Sequence, residues 1–197
     1  MRTKTLVFAL FLLAVVGVTW VPHARAQAGA GWTTLFNGKN LDNWVVTGNA
    51  NWKVVNGFIE ADMPRGFLLT RESYRDFELR AEIRATPESN GGVLFRITDA
   101  KDPGIENGYE LNVNDTRKDQ TGRTGSIVNV AKPLVKVDSA SRWMTIEITA
   151  RGAHMTAKLD GTLTAEADDT KYASGPVALQ AAGGLVRYRN VQIRALK

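Results

Sequence analysis

The sequence predicts an all-β fold, an antiparallel two-sheet jelly-roll sandwich. Three observations carry that prediction. Long stretches alternate apolar and polar residues one by one, as in 76–85 (DFELRAEIRA) and 143–150 (WMTIEITA). That is the period of a strand with one face buried and one solvated. Turn signals such as Asn56-Gly57 and Asp160-Gly161 recur between such stretches. No stretch shows helical periodicity, and about a dozen short strands at this spacing suit a sandwich.

Taken in order, residues 32–36 (WTTLF) read as a first strand, and Asn37-Gly38 marks a turn before Trp44. Residues 52–55 and 58–61 flank Asn56-Gly57 as a hairpin. Residues 66–70 (GFLLT) form another strand. In 76–85, Phe77, Leu79, Ala81, Ile83 and Ala85 share one face, and Asp76, Glu78, Arg80, Glu82 and Arg84 the other. Strands are also expected at 93–98, 109–114, 124–130 and 143–150. The pair 154–159 and 162–167 is joined by Asp160-Gly161, and strands at 177–182 and 186–196 close the chain. Residues 116–123 and 132–141 read as polar loops.

Residues 1–26 have the pattern of a secretory signal peptide: Arg2 and Lys4, an uncharged apolar run over 6–20, and Ala24-Arg25-Ala26 as the cleavage signal. The run is shorter than the roughly 18 residues of a spanning helix, and no second such run follows. Residues 27–31 would be a small-residue linker and 32–197 one jelly-roll domain. Export to the periplasm or the extracellular space is therefore expected. With no cysteine there is neither a disulfide framework nor a thiol nucleophile. The formal charge of +5, less the leader's three basic residues, leaves +2, too balanced to point to nucleic acid. His154 is the one histidine after the leader, so any metal would rest on carboxylates and amides. Nucleotide loops, G-x-S-x-G and H-E-x-x-H are all absent.

The stretch that concentrates polar function is 90–115 (NGGVLFRITDAKDPGIENGYELNVND). Strict alternation places Val93, Phe95, Ile97, Tyr109, Leu111 and Val113 toward a core. It places Leu94, Arg96, Thr98, Glu110, Asn112 and Asn114 together on the other face. An arginine, a carboxylate and two amides would then share one sheet surface. Gln180 is a weaker candidate for that surface. Trp44, following a turn and a polar segment, is a candidate for an exposed aromatic, whereas Trp52 and Trp143 read as packing.

Several of these stretches, in this order, resemble one family: that of 3-keto-disaccharide hydrolases and 3-keto-glucoside lyases, once a domain of unknown function. They are WTTLFNGKNLDNW, W-x-V-x-x-G at 52–57, YRDFELRAEIR, NGGVLFR, GYELNVND, TGSIVNV, the LDG turn, GPVALQ and RYRNVQIR. The resemblance spans 32–196 and implies a concanavalin-like jelly roll, export and a carbohydrate substrate. It departs at three places. Ala182 stands where the family often has histidine, Asn112 where glutamine is common, and Val128 where tyrosine is usual.

A 3-keto-glycoside has an acidified C2 proton, so its cleavage needs a base and a partner for the enolate oxygen. On this reading Glu110 is the base, and Arg96, or a divalent cation on Glu110, holds the oxyanion. Asn112, Asn114, Gln180 and Trp44 would bind sugar. Hydrolysis by two carboxylates would instead recruit Glu78 or Glu82 beside Glu110. A non-catalytic carbohydrate-binding module on the same fold is the alternative, and an envelope protein with a partner on this face is a third.

Overall fold

A computed structural model describes residues 31–139 and 141–197. The expected leader, and residues 27–30 of the expected linker, lie outside the described residues. Two antiparallel sheets face each other, in agreement with the predicted class. One contains β11 (Thr162–Asp168), β10 (His154–Leu159), β9 (Met144–Arg151), β6 (Phe77–Ala85), β13 (Val186–Ala195), β4 (Phe58–Ala61) and β3 (Lys53–Val55) in that spatial order, with β1 (Thr33–Thr34) also on β13. The other runs β2 (Trp44–Gly48), β5 (Gly66–Thr70), β12 (Ala178–Ala181), β7 (Gly91–Phe95) and β8 (Tyr109–Val113).

The alternation of β6 works as the sequence suggests. Phe77, Leu79, Ala81, Ile83 and Ala85 join the core between the sheets. On the solvent side the register sets Glu82 against Arg189 and Glu78 against Arg194, and both pairs form ion pairs. Asn190, at a positive φ of 52°, marks a register shift in β13. The extra residue lets Tyr188 and Val191 both face the core although they are three apart. The β3–β4 hairpin turns through Asn56 (φ 52°) and Gly57 (φ 80°), as that dipeptide requires.

Two expectations needed correction. Residues 124–130 do not form a strand, because Gly125 (φ 87°) and Asn129 (φ 60°) break the extended backbone. The segment instead lies along β8 as turns, with Ile127 bridged to Leu111 and Ala131. Conversely, β2 is a strand that the sequence left unassigned. It lies at the edge of its sheet, and Val45 and Val46 remain exposed, so its residues show no clean alternation.

Tyr188 ties the two sheets together. From β13 its hydroxyl donates to the Gln180 carbonyl on β12 (2.6 Å), lies 3.0 Å from the Gly92 carbonyl, and accepts from the Gly92 amide (3.1 Å). Gly91 leaves room for this approach, and Gly92 for the close approach of β8. A Cβ on Gly91 would meet Val186 at 2.8 Å and the Tyr188 hydroxyl at 3.3 Å, and one on Gly92 would meet the Leu111 carbonyl at 2.4 Å. Tyr188→Phe leaves these buried groups without their partner and should cost about 1–3 kcal/mol. Urea unfolding, together with faster hydrogen exchange at the Gly92 amide, checks that outcome.

Candidate functional site

The outer face of the five-stranded sheet carries the site. Its ladder aligns Phe67, Gln180, Gly92 and Asn112 in one row across four strands, and Leu69, Ala178, Leu94 and Glu110 in the next. Gly92 has no side chain, so the space between Gln180 and Asn112 stays open. On one side of the gap, Phe67, Leu69, Leu94, Ile97 and Ala178 form a small apolar cluster. The connection 98–108 folds back over that part of the sheet. The Ala100 carbonyl accepts from Thr47 on β2, and the Pro103 carbonyl accepts from Arg65 beside β5. What remains is a pocket of about 250 Å³.

Glu110, Asn112 and Gln180 all line this pocket, as parity suggested. Glu110 is only 5% exposed, and burial pushes its carboxyl up to about 7 against the opposing influence of Arg65, a hydrogen bond from Gln180, and Arg117. Asn112 donates to the Gly122 carbonyl (2.6 Å). Its Oδ1, the Gln180 Oε1 and the Asn90 Oδ1 are buried without a protein partner. A ligand rich in hydroxyl donors would satisfy them.

Arg96 is elsewhere. It has a positive φ of 54°, which ends β7 and reverses the alternation. Ile97, expected in the core, joins the apolar cluster on the outer face. Arg96 turns to the opposite side, is 1% exposed, and donates to the Arg75 carbonyl (2.9 and 2.8 Å) and the Tyr172 carbonyl (3.4 Å). It also pairs with Asp76 at 3.4 Å. It is a structural cation, and the expectation that it faces Glu110 is corrected. Trp44, 4% exposed, belongs to the main core and cannot stack on a sugar. Asn114 sits past the end of β8, where its amide donates to Thr124 and its Oδ1 accepts from Thr116, outside the pocket lining. Glu78 and Glu82 lie on the outer face of the other sheet, paired with arginines, which removes the two-carboxylate arrangement.

Three polar lining residues escaped the sequence reading. Arg65 just precedes β5 and Arg117 is in a loop, where alternation gives no signal. Asn90 has the parity of Gly92 and Leu94, which could have marked it. The oxygens that could approach a divalent cation are the Glu110 carboxylate and the three amide oxygens. Among the described residues, no group of three or more His, Asp or Glu gathers to hold a metal.

The sequence pattern of the 3-keto-alpha-glucoside-1,2-lyase-like domain matches residues 31–194. The chain belongs to that family. Two solved structures of candidate glycosyl hydrolases from Parabacteroides distasonis share the fold. One has TM-score 0.75 at 20% identity, covering 85% of this chain and 94% of that one; the other has TM-score 0.72 at 25% identity, covering 84% and 99%. The carbohydrate-binding module CBM66 from Bacillus subtilis has TM-score 0.61 at 19% identity, covering 84% of this chain and 96% of its own. A comparison with curated proteins gives no significant match. The fold is thus one shared by carbohydrate-related jelly rolls. Asn112, Val128 and Ala182, the three positions singled out above as departures from the resemblance, all line the pocket.

The raised Glu110 carboxyl has a consequence for stability. Unfolded, it titrates near 4.5; folded, it holds its proton to about 7. The unfolded chain therefore releases the proton first as pH rises, and stability falls between these values, with the full penalty present above 7 and none below 4.5. Glu110→Gln should be more stable than the parent at pH 8 by up to about 3 kcal/mol, with the gap closing toward pH 4. Urea unfolding of both proteins at the two pH values measures it.

Proposed function

We propose that the protein is an exported enzyme that cleaves 3-keto-glycosides by abstracting the C2 proton. The observation that supports this reading is Glu110: one buried carboxyl, titrating near neutrality, at a polar pocket whose lining, among the described residues, has no second acid. A base of that kind suits removal of a carbon acid's proton at ordinary pH. The C2–H electrons move toward the C3 ketone and form an enolate. Arg65, the cation with the largest influence on Glu110, faces the developing oxyanion. As the enolate collapses, the C1–O bond breaks, and the carboxylic acid form of Glu110 returns its proton to the departing oxygen. Asn112, Gln180 and Asn90 offer acceptors to the sugar hydroxyls.

The departure at Ala182 favours a second reading, a carbohydrate-binding module, because the pocket then lacks the histidine its relatives often carry there. Incubation with a chromogenic 3-keto-glucoside separates the two. Aglycone release should rise with pH up to about 7 and then level off, since only the carboxylate form is a base. Glu110→Gln should lower the rate by about 10²–10⁴-fold. Absence of turnover, with or without added divalent metal, would overturn the catalytic reading and leave the binding one.

A further inference from the structure

The pocket lining includes an arginine, Arg117, that among the described residues has no ion-pair partner in contact with it. Arg117 lines the pocket, and its guanidinium lies against Gly122, where a Cβ would come within 2.5 Å of Nε. Gly122 is also the residue whose carbonyl holds the Asn112 side chain, so Arg117 is docked onto the site's own framework. Among the described residues, no carboxylate lies within 4.0 Å of Arg117. Asp119 is close enough to feel both Arg117 and Lys132, but its oxygens are engaged by Thr121 at the start of a short 3₁₀ turn. Arg123 reaches back to the Arg117 carbonyl at 3.5 Å, and Lys118 is adjacent in sequence. Arg117 is thus the cation of this loop that reaches the pocket lining, with Lys132 sharing Asp119 and Arg123 bracing its backbone, while Asp115 is engaged by Thr124 and Ser139.

On the outer face of the other sheet Arg187, Arg189 and Arg194 each have a glutamate; Arg80 and Arg84, held by Gln192 and the Ser141 carbonyl, neither line this pocket nor, among the described residues, pair with an acid. A guanidinium that lines a pocket and has no carboxylate in contact with it can take an anion in bidentate fashion. The geometry points to an anionic leaving group: the substrate is a glycoside whose aglycone carries a carboxylate, with the sugar over Glu110 and the carboxylate on Arg117. This rests on the glycoside reading above and adds the chemical class of the aglycone. The guanidinium binds the acid without entering the proton transfer, so its influence belongs in affinity, and it weakens with salt.

Calorimetric titration of the purified protein with ordinary, non-keto glucosides tests this without any turnover. The probes are 3-carboxyphenyl glucoside and its uncharged 3-carbamoylphenyl counterpart, in both anomeric forms, with phenyl glucuronide as a third. The carboxyphenyl compound should bind on the order of tenfold more tightly than the carbamoyl one at low salt. The preference should narrow at high salt, vanish in Arg117→Gln, and persist in Arg117→Lys. Equal affinities, a preference untouched by Arg117→Gln, or no binding of either compound overturns the proposal. A preference for the glucuronide alone moves the anion onto the sugar and overturns the aglycone assignment. Selective binding with no cleavage of the matching 3-keto-glucosides sinks the catalytic reading and not this one. Cleavage without acid preference does the reverse.

Discussion

The hydroxyl of Tyr188 is the contact on which the site's geometry depends. It crosses the sandwich from β13 to the backbone of β12 and β7 and meets the Gln180 carbonyl and the Gly92 amide. Buried main-chain groups left unpaired are costly, so the phenol fixes where those two strands can lie. Burial also pushes its own ionisation up, so it remains a neutral donor. Gln180 and Gly92 are the two middle positions of the row that ends at Asn112. One hydrogen-bonded tyrosine on the far sheet thus sets the floor of the pocket from behind.

The two outer faces treat charge in opposite ways. On the eight-stranded sheet, cross-strand register pairs acids with arginines, and Arg189 further stacks over Trp143 at 4.1 Å. Such half-exposed pairs add little individually, but they keep the face solvated. On the five-stranded sheet one acid is buried, its amide neighbours keep oxygens unpaired, and the nearby arginines are held by neutral groups. Arg65, for example, donates to a backbone carbonyl and lies over the Phe67 ring at 4.9 Å. Three unpaired amide oxygens converging on one pocket mark where hydrogen-bond donors of a ligand would fit.

Most of the architecture was legible because alternation is a strong signal when one face is buried. That is why β5 and β10 appear with the bounds the sequence suggested, and why Glu110, Asn112 and Gln180 converge. What sequence could not show was a single backbone torsion. At Arg96 a positive φ exchanges the sides of an arginine and an isoleucine, and nothing in their side chains announces it. Arg65 and Arg117 come from segments with no period to read, and Trp44 looked available only because β2, an edge strand, was unrecognised. Parity therefore located the acid and amides, while the cations had to await three dimensions.

The turns at 125–131 have one more effect. Without them β8 would be the open margin of its sheet, offering bare amides and carbonyls to any passing chain. Instead Val128 donates to the Glu110 carbonyl, Ser126 accepts from the Asn112 amide, and Gly125 donates to the Asn112 carbonyl. The strand that bears the acid is sealed by a kinked strap that cannot itself template another strand. The segment thereby guards this jelly roll against edge-to-edge polymerisation, at the border beside the pocket.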